Sequence, residues 1–135
     1  MIDLTPEQRV FVVERHLATL TTLRPDGTPH VVPVAFTWDA ERGTAVTTTR
    51  EGSGKVRNIE AALARGEPAR GALCQVDGGR WLTLEGELSI SRDPEVVADA
   101  ERRYATRYRH LEPSPTRIVL RLVVDRVMGS AYMTR

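Results

Sequence analysis

The sequence predicts a mainly β protein: an antiparallel barrel with flanking helices, in one domain spanning 1–135. Three observations carry that expectation. Apolar residues alternate at period two through much of the chain, as at Val32, Val34, Phe36 and Trp38. The alternating runs are joined mainly by short turns rich in glycine, proline and aspartate. Helix signals occur in only three places. Strands linked this way tend to close on themselves, because closure removes exposed edges.

The elements follow in order. Thr5, Pro6 and Gln8 supply an N-cap, a proline at the first helical position and a capping-box glutamine, which predicts a helix to about Arg15. "LATLTTL" (17–23) reads as a strand and "RPDGTP" as a turn. "HVVPVAFTW" (30–38) reads as one strand, and Pro33, which lacks an N–H, requires an edge or a bulge there. "TAVTTT" (44–49) leads through a glycine turn into a helix over 56–65. "ALCQV" (72–76), the "DGG" turn (77–79) and "RWLTLEGELSI" (80–90) make a hairpin. In the second of those strands Leu82, Leu84, Leu88 and Ile90 share a face opposite Trp81, Thr83, Glu85, Glu87 and Ser89. Asp93-Pro94 caps a helix to about Tyr108, with Val97, Ala100, Tyr104 and Tyr108 on one packing stripe and the arginines elsewhere. Residues 116–130 form the last strand.

Composition narrows the function. A net charge of +1 gives no bulk reason to expect nucleic acid or an anionic membrane as partner. No apolar run approaches the roughly 20 residues of a membrane span, and "MIDLTPEQRV" does not read as a signal peptide. The single cysteine, Cys74, excludes an intramolecular disulfide and reads as a small core residue. These features together predict a cytoplasmic protein. His16, His30 and His110 show no metal-ligand spacing among themselves or with Cys74 and read as structural, so no metal site is expected and no catalytic nucleophile or acid stands out. A domain this small is also expected to gain from oligomerisation.

One stretch carries chemistry. "TTTREGSGKVRNI" (47–59) is a strand end, a glycine turn and a lysine entering a helix. It is not the nucleotide-hydrolysing phosphate loop, because Thr49 stands where that motif needs glycine and Val56 where it needs Ser or Thr. What remains is an anion seat: glycine-turn amides, a helix N-terminus and the Lys55 charge, with threonine and serine hydroxyls beside them. A plain solvated turn would carry the same residues. Trp81, next to Arg80, is a candidate to stack on a flat ring or to meet a second subunit.

The order of the blocks "VERHLA", "TTTREGSGKVRNI", "LCQVDGGRWLTLEGEL" and "AERRYATRYR" resembles the pyridoxamine 5′-phosphate oxidase-like superfamily of split β-barrels over about residues 10–130. Within it the chain is most similar to the branch that binds the deazaflavin coenzyme F420, and there to the biliverdin reductases. The resemblance implies a homodimer with two interface sites and hydride transfer from reduced F420 to a small-molecule acceptor. FMN on the same barrel is the alternative, as is a non-enzymatic barrel binding flavin or haem. It further implies that Thr47, Thr48, Gly54 and Lys55 hold the cofactor phosphate, with Asn58 one turn on. His30, Val31, Val32, Pro33 and Val34 would run beside the ring. The turn Asp77, Gly78, Gly79 and Arg80 would reach the cofactor from the second subunit, with Trp81 near the ring. Arg50, Arg57 and Arg80 are candidates to meet acidic groups of the acceptor.

Overall fold

A computed structural model describes residues 1–133, which form three helices and seven strands. Helix α1 (Pro6–Val13) starts on a complete capping box: the Gln8 N–H donates to Thr5 Oγ1 at 3.3 Å and the Thr5 N–H to Gln8 Oε1 at 2.9 Å. It ends two residues before the expected Arg15, because Glu14 is already extended. Strands β1 (Ala18–Leu23) and β2 (Pro29–Val34) form a hairpin whose turn places Gly27 at φ 86°.

The expected single strand 30–38 is two strands. Ala35 separates β2 from β3 (Phe36–Asp39), and the two lie at opposite edges of a curled antiparallel sheet, in the order β2-β1-β5-β6-β7-β4-β3. The remaining strands are β4 (Thr44–Arg50), β5 (Arg70–Asp77), β6 (Arg80–Ser91) and β7 (Arg117–Gly129). The sheet therefore closes by covalent continuity at Ala35 and not by a β2–β3 ladder, which makes the barrel split rather than fully closed. Pro33 fits this: among the described residues β2 pairs only with β1, so a residue without an N–H sits on an edge strand.

The barrel interior is filled by Leu20, Leu73, Leu82, Leu84, Leu120 and Leu122 from the strands, all essentially inaccessible. Phe11 and Val12 of α1 enter the same cluster, as do Val56 and Ile59 of helix α2 (Gly54–Ala64). Helix α3 (Pro94–Arg107) lies outside, with Ala100 packed on Val46 and Val119. Between β6 and β7 the register slips at Glu85/Gly86. A Cβ on Gly86 would stand 1.9 Å from the Val123 carbonyl oxygen, so only glycine permits that backbone approach.

Two expectations need correction. Cys74 is half-buried on the outer face of the sheet, because its strand gives Leu73 and Gln75 to the interior and Cys74 to the other side. Arg107 is not a surface arginine. It is buried and donates to the carbonyl oxygens of Glu14 and Phe36 and, at 2.7 Å, to Gln75 Oε1, while its guanidinium lies 4.7 Å from the Phe36 ring centroid. Those acceptors make its burial tolerable without a carboxylate.

Candidate functional site

A cleft of about 490 Å³ opens where the split edge, the end of β4 and α3 meet. The crossover Pro33–Val34–Ala35 forms one wall, Thr48, Thr49 and Arg50 the next, and Ser53 and Lys55 the floor of the glycine turn. Tyr104 of α3, with Leu111, Ser114 and Arg117, closes the far side.

The turn is built to present positive charge. Gly52 takes φ 76°, which reverses the chain after β4. Ser53 precedes α2 in extended conformation but its hydroxyl makes no cap bond to the helix; it lies 3.2 Å from Thr49 Oγ1 instead. No acidic residue occupies the first turn of α2. Among the described residues no carboxylate pairs with Lys55 or Arg50. Burial holds the Lys55 ammonium below its ordinary pKa, and the neighbouring Arg50 charge lowers it further. Two cations with no carboxylate partner among the described residues thus stand beside a helix N-terminus without a side-chain cap, an arrangement suited to an anion.

The residues expected at the site separate into groups. Pro33, Val34, Thr48 and Lys55 line the cleft, and Gly54 lies in the turn between Ser53 and Lys55. Thr47 is buried in β4, paired with Phe36 and Leu120 on either side. Val31 and Val32 do not line the cleft: Val31 faces outward and is exposed, and Val32 packs on the core. His30 comes close by its side chain. Its Nε2 stands 3.1 Å from where a Gly54 Cβ would be, and its Nδ1 is buried with no hydrogen-bond partner among the described residues.

Asn58 is not among the residues that line the cleft. Its amide donates to Thr22 Oγ1 of β1 at 3.0 Å, and the side chain is buried there because position 58 falls on the barrel-facing side of α2 with Ile59. Asp77, Gly78, Gly79 and Arg80 of the hairpin are not among the residues that line the cleft of their own chain. Arg80 is bound bidentately by Glu14 (2.9 and 2.8 Å), is also paired with Asp77, and covers the Phe11 ring at 4.7 Å. That pairing, helped by His16 at 3.0 Å, pulls the Glu14 carboxyl down to about 2. Glu14, His16 and Asp77 bring ligand atoms within 4.8 Å of one another, but Arg80 takes both carboxylates, so this is an ion-pair network. Trp81 is half-buried on the outer sheet face opposite Val76.

Sequence reasoning missed Ala35, Tyr104, Leu111, Ser114 and Arg117. Tyr104 and Tyr108 share a helical spacing, but Tyr108 leaves the helix at φ −118°, ψ −80° and donates its hydroxyl to the His16 carbonyl at 2.7 Å, while Tyr104 turns to the cleft. Leu111 and Ser114 belong to an irregular segment that no periodicity marks.

The family described as pyridoxamine 5′-phosphate oxidase matches residues 4–130. An F420H(2)-dependent biliverdin reductase of Mycobacterium tuberculosis (strain CDC 1551 / Oshkosh) is 46% identical over 129 residues, covering 95% of this chain and 89% of that protein. Among solved structures, a conserved hypothetical protein of Mycobacterium tuberculosis superposes with a TM-score of 0.77 at 23% identity, covering 98% of this chain and 89% of the other. A structure described as an F420 reductase gives 0.70 at 24% identity, covering 89% and 94%. Both share this split-barrel fold.

Proposed function

The chain belongs to the pyridoxamine 5′-phosphate oxidase family, and from that membership we propose that it is a reductase dependent on coenzyme F420, acting on a small conjugated acceptor such as biliverdin. The observation that carries the reading is the 46% identity, over nearly the whole chain, to a reductase named for reduced F420 and biliverdin. The cleft supports it independently: Lys55 and Arg50 have no carboxylate partner among the described residues and stand beside an uncapped helix N-terminus. These residues fit the phosphate of such a coenzyme.

When bound, reduced F420 supplies a hydride. The chain's part is binding and orientation. Lys55 and Arg50 would neutralise the phosphate, and the first amides of α2, which have no intrahelical acceptor, would donate to it. The crossover Pro33–Ala35, which joins the two sheet edges, would wall the cleft beside the ring system. Arg117 is already paired with Glu101, so it shapes the wall more than it adds charge.

The site is completed by a second copy. The outer sheet face carries Val31 (56% exposed), Val76 (60%) and Met128 (46%) with Ala72, Cys74, Trp81 and Thr83 among them. That apolar surface suits a homodimer, in which the Asp77–Arg80 hairpin and Trp81 approach the partner's cleft. The test is titration of purified protein with F420, FMN and haem side by side. F420 binding with turnover of biliverdin is expected. Tight FMN binding without F420 binding moves the assignment to a flavin enzyme, and binding without turnover across an acceptor panel moves it to a carrier.

A further inference from the structure

The turn that presents Arg50 and Lys55 also contains a carboxylate, Glu51, on the residue next to Arg50. A negative charge beside an anion seat opposes its purpose, but Glu51 is not among the residues that line the cleft. Arg92, from the junction of β6 and α3, grips it bidentately: Nε to Oε2 at 2.5 Å and Nη2 to Oε1 at 2.9 Å. The same guanidinium reaches Glu60 of α2 at 3.5 Å. Arg92 therefore ties three elements together: the turn, α2 and the start of α3. Burial, and then the neighbouring Arg50 charge, hold the Lys55 ammonium below its ordinary pKa. The backbone of the turn is held from other sides by the Glu51 N–H to the Thr116 carbonyl (2.9 Å) and by Arg57 Nη1 to the Gly52 carbonyl (2.9 Å).

We propose that Arg92 is a positioning residue of the cofactor seat, which masks Glu51 and holds it away from the bound phosphate so that Arg50 and Lys55 act unopposed. Exposed ion pairs contribute little to folding, so the pair's value lies in where it puts a charge. Loss of Arg92 releases an unpaired carboxylate on a turn whose ligand is anionic. At low ionic strength such a charge acts over tens of ångströms, and salt suppresses it.

The inference rests on the F420 reading, and a double-mutant cycle separates the two. Wild type, Arg92→Ala, Glu51→Gln and Arg92→Ala/Glu51→Gln are titrated with F420 at about 10 mM and about 500 mM salt. Arg92→Ala is expected to weaken binding about 3- to 10-fold at low salt and much less at high salt. The double variant returns to about wild type. Equal losses in Arg92→Ala and the double variant would mean a structural prop only and overturn the proposal, as would an unchanged Arg92→Ala. Should wild type ignore F420, the cofactor reading fails alone, and the masking is read in the ligand-free proteins from the NMR titration of the Lys55 ε-methylene. That titration moves upward in Arg92→Ala and returns in the double variant; four superimposable curves would sink the idea.

Discussion

Asn58 on α2 and Thr22 on β1 are joined by a 3.0 Å hydrogen bond between buried side chains, with the amide as donor and the hydroxyl as acceptor. The bond holds the helix carrying Lys55 against the barrel. Asn58→Ala leaves Thr22 unsatisfied, which costs about 1–3 kcal/mol of stability. Cofactor affinity should stay within about twofold if the surviving fold keeps the seat intact. Denaturant unfolding and F420 titration of one preparation check both. A large affinity loss without a stability loss would place Asn58 in the seat after all.

Lys55 should behave in the opposite way. Lys55→Ala removes a charge-assisted contact worth about 1.5–3 kcal/mol, so cofactor affinity should fall roughly 10- to 150-fold. The melting temperature should barely move, because a half-buried cation without a partner does little for folding. Lys55→Arg should recover part of the loss. Turnover at saturating cofactor should hold, since phosphate binding is uniform between ground and transition states. Equal dissociation constants for wild type and Lys55→Ala would make the turn only a turn.

Glu14 predicts an acid limb in stability. Its hydrogen bonds to Arg80 and His16 depress its folded pKa to about 2, against an ordinary value near 4.5. A depressed carboxyl contributes stability that is fully present above the unfolded value and is lost as pH falls from about 4.5 toward 2. Glu14→Gln should therefore be less stable than wild type at pH 7, with the gap closing below about pH 4. A gap constant from pH 7 to 2.5 in thermal melts would refute it.

The outer sheet face makes a prediction about assembly. Val76→Asp with Met128→Asp places charges among Cys74, Thr83 and Trp81. Sedimentation should then show a monomer, with cofactor affinity strongly reduced because the partner's hairpin is gone. A monomer binding F420 at full strength would show that one copy holds a complete site.

Gly86→Ala tests the β6–β7 bulge. The added Cβ meets the Val123 carbonyl oxygen at 1.9 Å, and backbone on both sides must shift. A loss of about 3 kcal/mol or more is expected. A stability change under about 1 kcal/mol in chemical denaturation would mean the two strands part easily there.

The sequence by itself determined the elements. Period-two alternation, the Thr5–Gln8 box, the Asp93-Pro94 start and the glycine turns are local signals, and each corresponds to an element within a few residues. It also marked the glycine turn that carries Lys55 into α2, because turn and helix-start signals are local. Only the tertiary structure decided what these pieces face. Residues 30–38 alternate continuously, so nothing local marks Ala35 as the place where the chain leaves one sheet edge for the other. Asn58 and Lys55 lie three positions apart on one helix, yet one turns to Thr22 and the other to the cleft. Arg80 meets Glu14 and Arg107 meets Gln75 across 66 and 32 residues. Such partners are set by the curl of the sheet, which brings distant strands together after every local preference has been satisfied.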